Sequence, residues 1–356
     1  MRLALTHAYS WPDVRRGGER LLHELAWALG RRGHDVTVFS AGSRPGRTVE
    51  NGTTTIRFRQ RSSDPDEHER RFGAVLTAAL AARRFDCVHS FGPYDAVASI
   101  RAARVRRRRT VYTDLGNPVR EWWDAQPAAG VHDKVVRDID VYGCLSDYGL
   151  EVLQRDYGRT GTRTPGGVDT GAFVPAPARE PHPTILFSGA LNAPPKRVAQ
   201  LVQALAIVAR DEPCVRLWLS GPGDPAPLMA SAPAEAKDRI VTLGLGAADA
   251  QAERYGRAWV TALPSVHEAF GLVLLESLAC GTPVVASDGW GLRELVAPGR
   301  TGALCDPESP DSIAQALLES LALARRPDIA ETCRATAEPY DWNTGIAPLM
   351  EGIYGG

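Results

Sequence analysis

The chain has 356 residues, of which 44% are hydrophobic and 23% are charged, and its formal net charge is −1. This composition excludes a fibrous or disordered chain and fits a globular protein whose length suits two domains. No apolar run reaches the ~20 residues that cross a bilayer, and the first residues lack the long apolar core of a signal peptide, so we expect a cytoplasmic protein. The six cysteines lack CxxC spacing, which favours reduced, buried thiols over disulfides or a zinc site.

Charge is distributed unevenly along the chain. Residues 1–175 hold 27 Lys and Arg against 21 Asp and Glu, whereas residues 176–356 hold 14 against 21. The excess is concentrated in RAARVRRRR, Arg101–Arg109. Such a run can attract an anionic acceptor, a membrane surface or nucleic acid, although a solvated helix end is the simpler interpretation. Because no aromatic residues alternate with these arginines, we expect no nucleic-acid partner, and peripheral membrane contact through this run stays open.

Short apolar strands alternate with helical patterns along the whole chain. In order, these are LALTHA, a helix over Glu19–Arg31, DVTVFS, a helix over Glu69–Ala82, CVHSF and TVYT, followed by later units of the same kind. This alternation predicts parallel sheets covered by helices on both faces, and the length predicts two doubly wound domains. The Gly- and Pro-rich segment Pro165–Pro183 is typical of a linker. Ligands of such folds bind beyond the carboxyl ends of the strands, so we expect the site in a cleft between the domains.

Small and polar residues follow the first predicted strand. His7 ends this strand, and Gly17 and Gly18 stand before the helix that is expected to begin near Glu19. Glycine backbone can approach a ligand closely and donate its N–H groups. A plain turn is the alternative explanation of the glycine pair.

A second group of candidates follows the strand TVYT. Asp114 ends this strand, and Asn117 stands before a proline, where an Asx-type turn is as good an explanation as ligand binding. The segment NPVREWWDAQ then contains paired tryptophans. Trp122 or Trp123 could stack on a sugar or an apolar aglycone, although core packing is the simpler role for one of them.

The most informative segment is PSVHEAFGLVLLESLACGTPVV, Pro264–Val285. It predicts a loop after the buried strand AWVTAL and then a helix that begins at Leu272. The amides of Gly271, Leu272 and Val273 lack intrahelical partners, and the aligned peptide dipoles add partial positive charge, which suits a phosphate group.

Two carboxylates flank this predicted anion site. Glu268 lies in the loop before it, and Glu276 lies about one turn into the helix. One carboxylate can accept hydrogen bonds from sugar hydroxyls and the other from a ribose diol. Taken alone, a glutamate pair at this spacing arises by chance in many sequences.

Two cations, Lys196 and Arg197, follow the strand ILFSGAL through a proline-bearing loop. Here a cation can reach a pyrophosphate leaving group and stabilise its growing negative charge. The helix dipole disfavours two basic residues at a helix start, and a bound anion would relieve that conflict. For Arg197, packing on the surface is an equally good explanation.

These motifs occur in an order that resembles a known family, the GT-B glycosyltransferases of family 4, which are retaining enzymes that use nucleotide sugars. The resemblance is carried by residues 15–40, 85–91, 109–117, 138–158, 164–175, 184–205 and 264–296. It implies an α/β fold with two Rossmann-like doubly wound domains facing a central cleft. The acceptor-side domain would comprise residues 1–170, with a tail of residues 340–356 packed back on it, and the nucleotide-sugar domain would comprise residues 176–339.

The resemblance also implies roles for individual residues. Glu268 would contact the hydroxyls of the donor sugar, Glu276 the ribose, and the loop of Gly18 the donor diphosphate and the acceptor. The further donor contacts would be Gly189, Lys196, Arg197, Gly221, Leu245, Phe270, Gly271, Leu272 and Val273. The acceptor contacts would be His7, Gly17, Asn117 and Trp122, and the catalytic set would be Glu268, Lys196 and Asp114.

The chain departs from the family pattern at two places. Ala190 stands where the family usually has an arginine, so one phosphate-clamping cation is missing and Arg197 is the candidate substitute. The family often has a histidine just after the strand VYT, whereas this chain offers Asp114 or Asn117 for the same hydrogen bonds.

We therefore predict a retaining hexosyltransferase whose co-substrate is a nucleotide sugar, a UDP sugar more readily than a GDP sugar, and whose acceptor is a small molecule or a glycan. We expect no metal, because there is no DxD sequence in a strand-end loop, and no other cofactor. Two alternatives remain: a catalytically inactive or repurposed nucleotide- or sugar-binding protein of the same fold, and a GT-B nucleotide-sugar epimerase.

Overall fold

The computed structural model describes residues 1–60, 62–246 and 248–355. The chain divides into two units, each built on a sheet of largely parallel strands. Unit 1 comprises Met1–Gly167 together with the C-terminal segment that begins at Trp342, and unit 2 comprises Val168–Asp341. The first division thus falls near the start of the predicted linker.

In unit 1 the described strands lie in the order β3-β4-β2-β1-β5-β6-β7-β8, and all neighbours are parallel except the pair β3 and β4. The strands are β1 Arg2–Thr6, β2 Asp35–Gly42, β3 Gly46–Glu50, β4 Thr53–Arg59, β5 Cys87–Ser90, β6 Arg109–Asp114, β7 Val141–Cys144 and β8 Thr162–Arg163. The helices are α1 Gly17–Arg31, α2 Pro65–Ala81, α3 Pro93–Val105, α4 Arg120–Asp124, α5 Ala129–Asp138 and α6 Asp147–Tyr157.

Two helix starts in unit 1 differ from the sequence-based prediction. Helix α1 begins at Gly17, two residues earlier than predicted, so both glycines lie in its first turn rather than in a preceding loop. Helix α2 begins at Pro65 because Asp64 accepts a hydrogen bond from the amide of Glu67 (2.8 Å) and proline suits the first helical position. The start of α2 thus carries ordinary helix signals outside the apolar period that the prediction followed, whereas Arg16, the N-cap residue of α1, makes no side-chain capping bond.

In unit 2 the described strands are all parallel and lie in the order β11-β10-β9-β12-β13-β14. They are β9 Thr184–Ser188, β10 Arg216–Ser220, β11 Ile240–Gly244, β12 Val260–Leu263, β13 Val284–Ser287 and β14 Gly302–Cys305. The helices are α7 Val198–Asp211, α8 Ala226–Ser231, α9 Ala234–Lys237, α10 Ala248–Arg257, α11 Leu272–Ala279, α12 Pro310–Ala324 and α13 Ile329–Ala337. The strand order reverses direction next to β9 and β12, which is where parallel α/β sheets bind ligands.

The C-terminal segment of the chain packs within unit 1. It contains a π-helical turn at Trp342–Ile346 and helix α14 Ala347–Gly355. The indole N–H of Trp342 donates to Glu24 (2.7 Å), and Glu351 accepts from Arg32 (2.6 and 2.9 Å). The hydroxyl of Tyr354 lies 2.8 Å from Nδ1 of His89 on the buried strand β5. The final helix is therefore part of the unit 1 core rather than an appendage.

Among the described residues, none of the helices combines the length and apolar character that a membrane span requires. All six cysteines are free thiols, and all except Cys214 are buried. Burial raises the pKa of the Cys87 thiol to about 12, so it stays protonated at neutral pH.

Candidate functional site

The clearest candidate site lies in unit 2, at the carboxyl ends of β9 and β12. The loop after β9 contains a 3₁₀ turn, Pro194–Lys196, and the loop after β12 leads to Glu268. The amide of Val266 donates to the carbonyl of Pro195 (2.8 Å), which joins the two loops. Nζ of Lys196 then lies 2.8 Å from Oε2 of Glu268, with both side chains about three-quarters buried. The structure brings this predicted cation and carboxylate together.

Two glycines allow the loop after β9 and the loop after β10 to lie close together. Gly221, which follows β10, has φ of 142°, and a Cβ built on it would lie 2.0 Å from the carbonyl oxygen of Gly189. The amide of Gly189 in turn donates to the carbonyl of Ser220 (2.9 Å). A Cβ on Gly189 would lie 3.8 Å from Cε of Lys196, so this loop runs directly beside the cation. Any larger residue at position 221 would force the two loops apart.

The start of α11 agrees with the predicted helix boundary. Gly271 adopts the left-handed conformation (φ 100°) as the N-cap residue, and helix α11 begins at Leu272. Leu272 and Val273 are partly exposed, and their amides lie in the first turn, which lacks intrahelical acceptors. Phe270, a predicted donor contact, is instead 3% exposed and packs its ring against Tyr340 at a centroid distance of 5.8 Å.

Glu276 occupies the second turn of α11 and is only 2% exposed. Its neighbour is Tyr255 on α10, whose pKa is raised well above the usual value, first by burial and then by the charge of Glu276. A buried carboxylate that faces a tyrosine hydroxyl is well placed to accept hydrogen bonds from a diol.

Helix α10 contributes polar residues that the sequence analysis did not single out. Gln251 donates to Oγ of Ser188 (2.9 Å) and accepts from Oγ of Ser220 (2.9 Å). Arg254 donates to Oγ of Ser220 (2.8 Å) and to the carbonyl of Gly244 (3.0 Å). The helix is thereby attached to the ends of β9, β10 and β11. A helical pattern that contains Gln, Glu and Arg is typical of a solvated surface helix, so no local pattern indicates this network.

In the part of the chain that the structure describes, Arg197 and Leu245, two further predicted donor contacts, form no hydrogen bond with Lys196 or Glu268. The Arg197 guanidinium binds Glu308 (2.6 and 2.7 Å) and the carbonyl of Pro194 (2.6 Å). Leu245 is 58% exposed, after the end of β11. The candidate substitute for the missing cation at Ala190 therefore already has a carboxylate partner within unit 2.

An aromatic pair borders Glu268. His267 and Trp290 are both non-glycine residues in the left-handed region, with φ of 60° and 53°, and their rings meet edge to face at 5.1 Å. The amide of Gly291 donates to the carbonyl of Glu268 (3.0 Å), and a Cβ on Gly291 would lie 2.0 Å from the carbonyl of Ala269. Strained residues of this kind cluster at functional sites.

In unit 1, the predicted residues near the start of α1 lie among titratable side chains. His7 is 8% exposed, and burial lowers its pKa. Its Nδ1 lies 3.1 Å from the amide of Tyr9. Gly18 lies close against the side chain of Leu115. A Cβ added to Gly18 would lie 2.5 Å from Cδ1 of Leu115, so a larger residue would clash. Gly17 precedes it in the same turn.

Asp114 lies in a buried network of unit 1. Its carboxylate accepts from the hydroxyl of Tyr142 (2.8 Å) and from the amide of Gly116 (2.9 Å), and it is 3% exposed. Nε2 of His132 lies 2.8 Å from the same hydroxyl. These hydrogen bonds give the Asp114 carboxylate a structural role that the sequence does not reveal.

The two tryptophans differ in environment. Trp123 is buried and stacks on His132, with ring centroids 4.0 Å apart and planes 7° apart, whereas Trp122 is 55% exposed. The core-packing role considered for one of the pair therefore belongs to Trp123. Asn117 is partly buried, and its carbonyl accepts from the amide of Val119 (2.8 Å), as in a turn.

Comparisons with known proteins identify the family of both units. Residues 15–172 match the family model described as Glycosyltransferase Family 4, and residues 182–322 match the model described as Glycosyl transferases group 1. The two models together cover most of the chain.

Individual relatives span almost the full length. The phosphatidyl-myo-inositol mannosyltransferase of Mycobacterium tuberculosis is 28% identical over 98% of this chain and 96% of the relative. The sucrose-phosphate synthase of Thermosynechococcus elongatus has a similar fold, with a TM-score of 0.85 and 22% identity over 99% of this chain and 98% of that chain. HepE of Anabaena, solved in complex with UDP-glucose, gives a TM-score of 0.75 at 18% identity, and each chain is covered completely.

Proposed function

Because the chain belongs to the family 4 glycosyltransferases of the GT-B fold, we propose that it transfers a hexosyl group from a nucleotide sugar to an acceptor hydroxyl with retention of configuration. The donor is a UDP sugar more readily than a GDP sugar, and no metal ion takes part. The observation that carries the proposal is the Lys196–Glu268 pair, whose glutamate lies in the loop that leads into α11, in the unit that matches the group 1 model.

In this proposal the diphosphate of the donor lies at the first-turn amides of α11, where N–H groups and the helix dipole favour an anion. Lys196 turns from Glu268 to the diphosphate and stabilises its charge as the glycosidic bond breaks. Glu268 then accepts hydrogen bonds from the sugar hydroxyls, while Glu276 accepts from the ribose. The 2.8 Å contact holds both groups in place before the donor binds.

The transfer itself needs no protein base. The bond between the anomeric carbon and the phosphate oxygen breaks, and a bond from the acceptor oxygen to that carbon forms on the same face. The acceptor proton passes to the leaving phosphate oxygen. The protein contributes positioning and electrostatic stabilisation of an oxocarbenium-like state.

The names of similar proteins support the substrate class. HepE was solved with UDP-glucose, and the mycobacterial relative is named for a mannosyl transfer to phosphatidyl-myo-inositol. We therefore extend to this chain a nucleotide-sugar donor and a polyhydroxylated acceptor, either a small molecule or a glycan. Trp122, His7, Gly17 and Asn117 stay the predicted acceptor residues.

The direct test is donor hydrolysis by the purified full chain in the presence of UDP and GDP sugars, followed as release of free nucleotide. Glu268→Ala and Lys196→Ala should each lower the release by about 10²-fold or more, whereas Glu235→Ala and Lys237→Ala, exposed on α9, should not. Unchanged turnover in the first two variants would reject the proposed site.

A binding protein without transferase activity is the second candidate. Two observations favour it: Ala190 replaces an expected cation, and the Arg197 guanidinium is held by Glu308. This candidate predicts a thermal shift with UDP or a UDP sugar but no nucleotide release, with or without acceptor. A third outcome, a new sugar nucleotide formed without any acceptor, would indicate an epimerase.

A further inference from the structure

A large cationic depression lies in unit 1, outside the residues that the proposed function uses. One part has a volume of about 720 Å³ and is lined by Arg104, Arg107, Arg108 and Arg109, together with Asp138 and Asp140. An adjoining part of about 700 Å³ shares Arg107 and Arg108 and adds Arg2, Arg84, Arg106 and Asp86. We name these lining residues the arginine basin. Seven arginines therefore face three aspartates.

The arginine basin lies at the amino ends of the strands, whereas ligands are expected at their carboxyl ends. Arg2 begins β1 and Arg109 begins β6, and Cys87 at the start of β5 pairs with Leu3 on one side and Arg109 on the other. The amino ends of three neighbouring strands thus meet here. Ligands of doubly wound sheets bind beyond the carboxyl ends. The arginine basin is therefore separate from the predicted acceptor residues.

The three aspartates of the basin already have partners. Asp86 accepts from the amide of Arg2 (2.7 Å), Asp138 accepts from Lys134 (2.6 Å), and Asp140 accepts from the amide and hydroxyl of Thr110 (both 2.8 Å). These hydrogen bonds hold the aspartates in place, and the three carboxylates offset only part of the charge of the seven arginines.

Arg2 pairs with Asp86 (3.2 Å), but three other exposed arginines of the basin lack such a partner. Within the described residues, Arg104, Arg106 and Arg107 make no ion pair with a carboxylate, and all three are exposed. Like charges that crowd together repel one another, and the seven arginines outnumber the three aspartates of the basin. A bound anion would reduce the remaining repulsion.

Arg108 is the fixed element of the basin. It is 7% exposed, its Nε donates to the carbonyl of Arg106 (3.0 Å), and its Nη1 donates to the carbonyl of Leu80 (3.0 Å). Its Nη2 is buried and has no hydrogen-bond partner, although the side chain lines both parts of the basin. Burial lowers the pKa of this guanidinium. A buried donor without an acceptor is costly, and an anion in the basin would supply one.

We propose that the arginine basin binds a phosphate-bearing anion, with Arg108 as its buried anchor and Arg104 and Arg107 as its exposed clamps. Guanidinium groups bind phosphate through paired N–H donors, and several of them around one depression suit a dianion or a diphosphate. The phosphate can belong to a soluble metabolite or to a lipid headgroup. Val105, 68% exposed beside Arg104, offers an apolar contact that only the lipid source would use.

The test uses the full chain with inorganic pyrophosphate in isothermal titration calorimetry, and with phosphatidylglycerol and phosphatidylcholine vesicles in co-sedimentation. Arg104→Ala/Arg107→Ala should weaken pyrophosphate binding at least tenfold. The matched control, Arg44→Ala/Arg47→Ala, removes two exposed arginines elsewhere in unit 1 and should bind as the parent does. Lys196→Ala should retain this binding, which distinguishes the basin from the proposed donor site. A thermal melt verifies that each variant is folded.

Vesicle binding that depends on Arg104, Arg107 and Val105 would assign the phosphate to a lipid headgroup. Pyrophosphate binding that depends on the two arginines, without vesicle binding, would assign it to a soluble metabolite. The proposal is overturned if neither probe binds, or if the Arg44/Arg47 control loses as much affinity as the Arg104/Arg107 variant.

Discussion

Lys196 and Glu268 are separated by 72 positions in the chain, yet Nζ of the lysine lies 2.8 Å from Oε2 of the glutamate. The contact depends on two strands of one parallel sheet, β9 and β12, which are direct neighbours. Their following loops are joined by the hydrogen bond from Val266 to Pro195. The pair is thus held by backbone and is available to a ligand, because each side chain keeps about a quarter of its surface exposed.

A double-mutant cycle tests whether this pair works as a unit. We expect Lys196→Ala and Glu268→Ala each to lower kcat of nucleotide release by about 10²-fold or more, since each removes a group that acts on the departing diphosphate or on the sugar. The double variant should lose less than the product of the two effects, because the groups position each other.

The measurement is steady-state release of nucleotide from a UDP sugar. Strictly multiplicative losses would show that the two side chains act independently and that their contact has no functional consequence.

Gly291 and Gly289 form a matched pair for a test of backbone packing. A Cβ on Gly291 would lie 2.0 Å from the Ala269 carbonyl, whereas a Cβ on Gly289 would meet nothing within 4 Å. We expect Gly291→Ala to cost about 2–3 kcal/mol of stability and to displace Glu268, whose carbonyl accepts from the Gly291 amide. Gly289→Ala should be nearly neutral. Thermal melts and nucleotide release on both variants check this, and equal behaviour of the two would contradict it.

Substitutions of Trp290 can distinguish the effect of backbone strain from the effect of donor binding. Its φ of 53° is unfavourable for an aromatic residue by roughly 1–2 kcal/mol, and glycine would remove that strain at an entropic cost of roughly 0.5–1 kcal/mol. Trp290→Gly should therefore leave the thermal midpoint unchanged or slightly higher. If the indole contacts the donor beside Glu268, KM for the donor should rise several-fold with a smaller change in kcat.

The control for that experiment is Trp290→Asn, because asparagine tolerates the left-handed region but lacks the indole. A large loss of stability in both variants would show that Trp290 serves mainly to pack the loop.

The sequence predicts a catalytic role for Asp114, and the buried contacts of this residue allow a direct test. Tyr142→Phe removes the hydroxyl that donates to Asp114 (2.8 Å), and Asp114→Asn leaves one acceptor oxygen where the carboxylate accepts from both Tyr142 and Gly116. A structural role predicts that both variants lose similar stability, about 1–3 kcal/mol of unfolding free energy each, and that their thermal midpoints fall together. A catalytic role predicts that Asp114→Asn alone lowers kcat beyond what Tyr142→Phe does.

The buried histidine His89 predicts a pH dependence of unit 1. Burial lowers its pKa to about 3, and its ring nitrogens contact Tyr354 and Thr113 (both 2.8 Å). Below pH 6.5 the unfolded chain takes up a proton that the folded chain refuses, so stability is full above 6.5 and is lost as the pH falls. Between pH 6.5 and 5 the loss should be about 2 kcal/mol.

Urea denaturation of the parent and of His89→Gln at pH 7 and pH 5 measures this difference. Other groups contribute: burial raises the pKa of Asp95 and Glu69, which opposes the loss, while Arg32 lowers the pKa of Glu351 to about 2, which matters only below pH 4.5. Since these groups are common to both proteins, the parent should lose more stability than the variant. An equal loss would contradict the assignment to His89.

The fold class and the enzyme class predicted from the sequence are confirmed, because alternating strands and helices leave a strong periodic signal and the loop motifs are local. Glu268 and Gly271 belong to one such motif. The contacts of Asp114 are different: Tyr142 lies 28 residues away, on a neighbouring strand, and only the register of β6 and β7 brings the two together.

Helix α10 illustrates the same limit. Gln251 and Arg254 bind serine hydroxyls and carbonyls at the ends of strands, and such acceptors are present in every sequence without a distinguishing pattern. The left-handed conformation of Trp290 also has no signature, since an aromatic residue at positive φ is imposed by its surroundings and not by its own preference.

The placement of helix α14 within unit 1 has a consequence for biosynthesis. Because Trp342 and Tyr354 complete contacts with Glu24 and His89, the ribosome must translate all of unit 2 before unit 1 possesses its full set of residues. The domain that emerges first is accordingly finished last, and a nascent chain arrested before residue 342 would expose an incomplete amino-terminal half to chaperones.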